Sequence, residues 1–426
     1  MSSVEDHPLR YMLANELHAR PFPTLDTPCR AAYLAIKRPE KAAARDRDAD
    51  FAHLVALLDR YGAQHPQPGA THYFGQIGKH QLKWESHTEF VTYTIFGNGV
   101  ADPAFDASTF KMFPEDWLAD APGVRMTSAL IRVEEQLDDT GIEDKIEDWF
   151  VPESLAVSRV LDDSAIIATD FRIDPQGHMR IAIFARPDTG SRRIGRVVQR
   201  LSEIETYKTM SMLGLARVRD LGPRLGARDT ELTQLIEQMA DDTAAPDQTL
   251  KSLLTVAADL EKILAQSSFR FGATGAYERI VNQRIEVLRE ERFKGRQTFS
   301  EFMMRRFDPA MRTVKATEAR LQTMADRAAQ AGNLLRTRVD VDRSAQNQKL
   351  LESMDKRADL QLRLQRTVEG LSVVAISYYA VNLAIYMLGP VGEGVGVSGI
   401  VLTAIVTPVV VLLVWAIVRR IRNSME

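Results

Sequence analysis

The stretch LSVVAISYYAVNLAIYML, residues 371–388, contains no charged side chain and decides the fold class of this chain. An uncharged apolar run of about 18 residues is long enough to cross the hydrocarbon core of a bilayer as a helix. A second such run, IVLTAIVTPVVVLLVWAIV at residues 400–418, follows after a short gap. Its Pro408 is compatible with a membrane helix, in which neighbouring groups satisfy the freed backbone. The two runs predict a transmembrane hairpin, because such pairs are rare in soluble folds.

The flanking residues predict how this hairpin is oriented. The connecting residues 389–399 are rich in glycine, and their only charge is Glu393, so we expect an external loop there. Basic residues lie instead outside the hairpin, namely Lys356, Arg357, Arg363 and Arg366 before the first span and Arg419, Arg420 and Arg422 in the tail 419–426. The positive-inside rule then places both termini, and the first 370 residues, in the cytoplasm.

The composition indicates which partners and which cellular location to expect. The chain has 426 residues and a formal net charge of −3, which gives no reason to expect nucleic acid as a partner. Cys29 is the only cysteine, so neither a disulfide framework nor a thiolate metal site is expected. The first residues, MSSVEDHPLR, are polar and predict no signal peptide. These features fit a body that faces the reducing cytoplasm.

Residues 1–190 predict an α/β domain whose sheet is mostly antiparallel, because the connections between its strands are short. The runs THYFGQIG and KHQLKWESHTEFVTYTIFG, joined at Gly78-Lys79, have the β-branched and aromatic content of a hairpin. A helix is expected over residues 51–61. Further strands are expected at 31–36, 126–133, 165–173 and 179–184.

After residue 190 the pattern becomes helical. Residues 191–308 predict a helical region, and residues 309–370 predict a long stalk helix that continues into the first span. Between residues 310 and 388 there is no proline, and Gly332 and Gly370 are the only glycines. Such a helix would be roughly 120 Å long at about 1.5 Å per residue. Because it is only weakly apolar, we expect it to pack against other helices of the body or against copies of itself.

One cluster of side chains predicts a metal site. In KWESHTEF, strand alternation would place Glu85, His87 and Glu89 on one face, with His72 of the partner strand opposite Glu85. Two carboxylates and one or two imidazoles suit a divalent cation such as zinc, or a general base. The alternative is a solvated outer face of the sheet. The common catalytic sequence motifs are absent, so we expect no enzyme and assign no catalytic residue.

Two further polar segments admit two interpretations each. The acidic run VEEQLDDTGIEDKIEDW, residues 133–149, is either a solvated surface or a site for hard cations. The segment NELHARP, residues 15–21, is either a polar site or a turn that bonds its own backbone.

The first span carries a stripe of polar and small residues, which we call the polar stripe: Ser372, Ala375, Tyr379, Asn382, Tyr386 and Gly389. Steps of three or four residues place all of them on one side of a helix. Polar groups inside a membrane helix face protein or water rather than lipid. The polar stripe therefore either lines a path through an oligomer, with Glu393 at its external mouth, or mediates helix packing.

The amino-acid sequence of several stretches resembles that of an uncharacterised bacterial family of membrane-anchored proteins. These stretches are NELHARPFP, KWESHTEF, RLSEIETYKTM and QNQKLLESMDKRADLQLRLQRTVEGLSVVAISYY. The resemblance covers nearly the whole chain and implies no particular function. It does imply a location in the bacterial inner membrane.

The order of elements is similar to that of CorA-type divalent-cation channels. The expected fold is an α+β cytoplasmic domain, a long helical stalk and a C-terminal two-helix hairpin. Those channels are homopentamers whose first membrane helix lines the pore and ends in a Gly-Met-Asn signature. Here the same place contains Tyr386-Met387-Leu388-Gly389-Pro390, so the signature is missing. The departure puts magnesium selectivity in question.

Two hypotheses follow for the function. The first is an oligomeric inner-membrane protein, a pentamer if CorA-like, that transports or senses a divalent cation such as magnesium or zinc. The second is a membrane-anchored cytoplasmic scaffold or regulator without transport. The bilayer is an expected partner in both, and other copies of the chain are expected partners in the first.

Overall fold

The computed structural model describes residues 4–16, 22–40, 42–240, 246–395 and 398–425, which divide into two compact units. The first unit comprises Met1–Asp241 and Lys251–Ala331, and we call it the body. The second comprises Asp242–Leu250 and Gly332–Glu426. The segment NELHARP lies largely outside the described residues, so neither of its interpretations is tested.

The body is built on one sheet, whose strands are β1 (Cys29–Lys37), β2 (His72–Ile77), β3 (His80–Ser86), β4 (Phe90–Asn98), β5 (Val124–Glu135), β6 (Ala156–Val160), β7 (Ala165–Thr169), β8 (Met179–Ala185) and β9 (Glu291–Arg292). Their order across the sheet is β2-β3-β4-β1-β5-β8-β7-β6-β9. Neighbouring strands are antiparallel except for β5 and β8. The prediction of a mostly antiparallel sheet is therefore confirmed.

Helices cover both faces of this sheet. The described helices are α1 (Arg10–Glu16), α2 (Arg47–Arg60), α3 (Glu115–Ala119), α4 (Asp139–Trp149), α5 (Ser191–Ala240), α6 (Pro246–Glu286), α7 (Phe299–Arg306), α8 (Asp308–Val395) and α9 (Gly399–Met425). On β1, Tyr33 packs with the cluster that contains α5, while its neighbour Leu34 packs with the cluster that contains α2 and α3. This division follows from the alternation of side chains along a strand.

The hairpin predicted at Gly78-Lys79 is present. Strands β2 and β3 pair in the predicted register, with His72 opposite Glu85. Gly78 has a φ of 57°, a left-handed conformation that glycine adopts without steric cost. The turn residue therefore fixes the register of the whole hairpin.

Two predicted strands are wrong in extent. The run KHQLKWESHTEFVTYTIFG forms two strands rather than one, because the chain reverses at residues 87–89 between β3 and β4. The strand predicted at 165–173 ends at Thr169, and Phe171 follows in a left-handed conformation with a φ of 53°. That conformation is incompatible with an extended strand.

Helix α8 is longer than the predicted stalk and first span together. It is continuous from Asp308 past Gly332 and Gly370 and ends at Val395. The external loop predicted at 389–399 is therefore largely helical, and α9 begins at Gly399. Pro390 does not end the helix, since a proline removes a single backbone donor and membrane helices tolerate it. Both α8 and α9 are long and apolar enough to cross a membrane.

Candidate functional site

A polar pocket lies in the body between the sheet and α5. Strand alternation points Tyr33 of β1, Lys83 and Glu85 of β3, and Thr92 and Thr94 of β4 to the same side. Lys83 is opposite Thr94, and Glu85 is opposite Thr92, across β3 and β4. Helix α5 closes the pocket with residues at helical spacing, namely Gln199, Ser202, Glu203, Thr206 and Tyr207. An interior this polar is unusual between a sheet and a helix, which normally exclude unpaired polar groups.

The pocket is narrow and its charges are compensated within the protein. About 20 Å³ is accessible to the centre of a water molecule, which is room for one or two ordered waters. The ammonium of Lys83 lies 3.3 Å from Glu85 and donates to Gln199 at 2.7 Å. Gln199 in turn donates to Glu203 at 2.8 Å, and Glu203 also accepts from Arg284 of α6. This series of hydrogen bonds and ion pairs links β3, α5 and α6.

A buried hydroxyl pair completes the floor of the pocket. Tyr33 donates to the hydroxyl of Thr206, which donates to the carbonyl of Ser202 at 2.8 Å. Burial raises the pKa of Tyr33 well above its ordinary value. The phenol therefore stays protonated and acts as a hydrogen-bond donor, which fixes β1 against α5.

The structure separates the three residues predicted to share one strand face. Glu85 and His87 line the pocket, but Glu89 does not. The prediction of a common face is wrong because the chain turns between β3 and β4, where the amide of His87 donates to the carbonyl of Phe90 at 2.9 Å. The imidazole of His87 stacks on Phe90 with ring centroids 4.3 Å apart, and the Tyr207 hydroxyl lies 3.5 Å from its Nδ1.

Glu89 is fully buried and is the centre of an ion-pair cluster. Its carboxylate, with no exposed surface, accepts from both terminal nitrogens of Arg270 and from the Tyr277 hydroxyl at 2.9 Å. The ammonium of Lys37 lies 3.6 Å away. Burial alone would raise the pKa of Glu89, but the hydrogen bonds and charges of these partners lower it below its ordinary value. Glu89 is thus an ionised structural link between the β3–β4 turn and α6.

Arg45 holds the same turn from the opposite side. Its guanidinium pairs with Asp50 and donates to three backbone carbonyls, those of His87 at 2.7 Å, Thr88 at 2.5 Å and Phe90 at 3.2 Å. Arg45, Arg270 and Tyr277 were not identified from the sequence, because nothing local marks them as partners of residues 87–90. Their position becomes evident only when the fold brings them together.

The buried carboxylate predicts a stability that is lost in acid. Because the folded-state pKa of Glu89 lies below the ordinary 4.5, its contribution is fully present above about pH 4.5 and is lost as the pH falls through the lower folded-state value. We expect the thermal unfolding midpoint of the wild type to fall more steeply than that of Glu89→Gln between about pH 4.5 and pH 3. Parallel pH profiles of the two proteins would contradict this assignment.

The geometry gives no resident metal site in the described part of the chain, where no three His, Cys, Asp or Glu side chains are grouped so that they could hold a metal ion. The acidic run 133–149 is engaged in ion pairs: Asp139 with Arg159 and Arg186, and Lys145 with Glu134. These carboxylates are therefore compensated by cations of the protein itself.

In the second unit, the polar stripe lies on a face of α8 that α9 does not cover. Ser377 is only 6% exposed and lies with Val381 opposite Thr407 and Val411 of α9. By contrast, Tyr379 is 72% exposed and Tyr386 is 82% exposed in the single chain. Ser372 and Ala375 are exposed as well, while Asn382 and Gly389 are half-buried. The backbone of Glu393 belongs to α8, but its side chain lies outside the described part of the structure.

Residues 5–425 match the family model described as "Protein of unknown function (DUF3422)". The chain belongs to the DUF3422 family. The resemblance to an uncharacterised family is thereby confirmed over nearly the whole length of this DUF3422 member. No curated protein and no solved structure gives a match. The CorA-like architecture consequently stays a prediction.

Proposed function

We propose that this DUF3422 member is a homo-oligomeric protein of the bacterial inner membrane whose first span, residues 371–388, lines a path for divalent cations. The observation that supports the proposal is the exposure of four members of the polar stripe, Ser372, Ala375, Tyr379 and Tyr386, in the single chain, while Ser377 lies against α9. An amide such as that of Asn382 is costly in hydrocarbon unless it is hydrogen-bonded. Polar side chains in a span therefore face other protein chains or water.

One hairpin has too few helices to enclose an aqueous path, so the path requires several copies. The segment of α8 before the first span supports such an assembly. Its large apolar side chains are exposed in the single chain, among them Leu351 at 65%, Met354 at 66% and Leu364 at 66%. Long helices with weakly apolar faces are stabilised by association with one another. If the assembly is CorA-like, it contains five copies.

The flanking charges support a direction for this path. Lys and Arg are in excess beside the hairpin and absent between the spans, a pattern that favours a cytoplasmic location for both termini. Asn382, Tyr386 and Glu393 then belong to the external end of the path. A ring of carboxylates from Glu393 would attract cations. The missing Gly-Met-Asn signature implies a selectivity different from that of CorA-type channels.

Reconstitution tests this proposal directly. The full chain is purified in detergent, its oligomeric state is measured by native mass spectrometry, and uptake of Mg²⁺, Co²⁺ and Zn²⁺ into proteoliposomes is followed with internal indicator dyes. We expect a symmetric oligomer and uptake above that of empty liposomes for at least one cation. A monomer or dimer without uptake would contradict the proposal.

The second candidate is a membrane-anchored regulator without transport, and the polar pocket of the body favours it. Lys83, Glu85 and His87 are polar groups suited to a ligand, but the pocket has room for only one or two ordered waters, so a ligand would bind there only if the pocket widened. This candidate predicts that substitutions in the pocket impair function in the cell, while substitutions in the polar stripe do not. Comparing growth or stress phenotypes of the two classes of variant separates the candidates.

A further inference from the structure

A cluster of arginines forms on the body where α5 and α6 meet. The first turns of α5 contain Arg192, Arg196 and Arg200, spaced by four residues, and no acidic residue precedes Glu203. Residues four apart are neighbours on a helix surface, and like charges at this spacing repel each other. The row of arginines therefore opposes the stability of α5 unless something compensates its charge.

Arg284 of α6 and Arg289, which follows α6, add to the positive charge of this row of arginines. The guanidinium of Arg200 donates to the carbonyl of Val287 at 3.3 Å, which brings the row next to the end of α6. Burial lowers the pKa of Arg200, and the nearby charges of Arg196, Arg284 and Arg289 lower it further, against an opposing effect of Glu203. Four guanidinium groups thus lie within electrostatic reach of one another.

The acidic partners of this cluster are too few. Glu203 pairs with Arg284, and Asp162 pairs with Arg289. Within the described ranges, the structure gives no carboxylate partner to Arg196 or Arg200, both of which are half-buried. Neighbouring Arg193 points elsewhere and donates to the Ser164 hydroxyl at 2.6 Å.

The backbone beside the cluster is also unusual. Arg289 has a φ of 48°, in the left-handed region that non-glycine residues rarely adopt. Strained backbone of this kind is found preferentially at ligand and functional sites. The conformation is maintained by the amide of Leu161, which donates to the carbonyl of Leu288 at 2.8 Å. The position of Arg289 is thus fixed by the fold.

We propose that Arg196, Arg200, Arg284 and Arg289 form a binding site for an anion that carries a multiply charged phosphate group. Guanidinium groups bind phosphate oxygens through parallel, charge-assisted hydrogen bonds, which is why arginine predominates in such sites. A bound phosphate compensates the repulsion along α5. The site adjoins the polar pocket, since Arg284 pairs with Glu203 of the pocket lining, but it does not depend on the proposed transport function.

Titration of the full chain in detergent tests the site, with inorganic pyrophosphate as the soluble probe and phosphatidic acid, whose phosphomonoester can carry two negative charges, in mixed micelles as the lipid probe. We expect the wild type to bind one of the two probes and Arg196→Gln/Arg200→Gln to bind it about tenfold more weakly or worse, because two charge-assisted contacts are removed. Which probe binds distinguishes a soluble phosphate compound from a lipid headgroup. Micelles of zwitterionic phosphatidylcholine serve as the reference for the lipid probe.

The matched control is Arg219→Gln/Arg279→Gln, which removes two exposed arginines from the same two helices. This control should bind like the wild type. Without any anion, Arg196→Gln/Arg200→Gln loses the repulsion along α5 but also the hydrogen bond from Arg200 to Val287, so its binding is measured well below its own unfolding temperature. The proposal is overturned if the wild type binds neither probe, or if both double variants bind equally well.

Discussion

Replacing Glu89 by alanine is expected to lower the free energy of unfolding of the body by about 3–5 kcal/mol, the range found when one partner of a buried ion pair is removed. The substitution leaves Arg270 and Lys37 as uncompensated buried charges, with side chains only 17% and 7% exposed. It also deprives the Tyr277 hydroxyl of its acceptor. The free energy of unfolding falls mainly because these polar groups stay buried without a partner, and less because the attraction within the ion pair is lost.

Urea denaturation of the full chain in detergent, followed by tryptophan fluorescence, measures this effect. Trp84 and Trp117 are buried in the body and report its unfolding. The control Glu261→Ala removes an exposed carboxylate from α6 and should change the free energy by less than about 0.5 kcal/mol.

A double-mutant cycle isolates the contact between Glu89 and Arg270. Because Glu89→Ala/Arg270→Ala removes both charges, it should cost less than the sum of the two single substitutions. Strict additivity of the single effects, or a Glu89→Ala protein as stable as the Glu261→Ala control, would contradict the role assigned to the cluster.

The ion-pair cluster around Glu89 explains why the sequence does not predict the turn between β3 and β4. The register of β2 and β3 follows from the local signal at Gly78, so His72 and Glu85 could be paired in advance. The reversal at residues 87–89 has no such signal, because strand-forming residues precede and follow it. It is fixed by Arg45 and Arg270, which come from distant parts of the chain. Local patterns cannot reveal a turn stabilised by remote charges.

The residues of α5 that line the polar pocket could not be predicted from the sequence either. Gln199, Glu203 and Thr206 of α5 have the spacing of any amphipathic helix, in which polar residues usually face solvent. Here they face Lys83, Glu85 and Tyr33 across the pocket. The strand half of the candidate site was therefore partly predictable, and the helix half was not.

For α8, the sequence predicts the long helix correctly but ends it too early. The absence of proline between residues 310 and 388 indicates a continuous helix, and the structure has one. The glycines after Leu388 suggest a loop, yet the helix continues to Val395. In an apolar environment the backbone must satisfy its own hydrogen bonds, which favours helix over loop even in a glycine-rich segment. The polar stripe is helical up to its last member as a result, since Gly389 also lies on α8.

Replacing Ser372 by leucine, Asn382 by leucine and Tyr386 by phenylalanine in one protein is expected to reduce cation uptake into proteoliposomes by about tenfold or more, because a path without polar groups no longer replaces the hydration of the ion. Ser372 and Tyr386 are exposed in the single chain and Asn382 is half-buried, and none of the three lines the contact of Ser377 and Val381 with α9, so the hairpin itself should be unaffected. The triple variant should keep the wild-type oligomeric state in native mass spectrometry.

The matched control changes one polar group on the face of α8 that packs against α9 and one on α9 itself. Ser377→Ala/Thr407→Val alters side chains that lie between α8 and α9, and the Ser377 hydroxyl is buried without a hydrogen-bond partner. Removing an unpaired buried hydroxyl should cost little, so this variant should transport at the wild-type rate. Equal uptake by the triple variant and the wild type would show that the polar stripe does not line the path. In that case the polar stripe serves helix packing. The result would then favour a membrane-anchored regulator over a protein that transports cations.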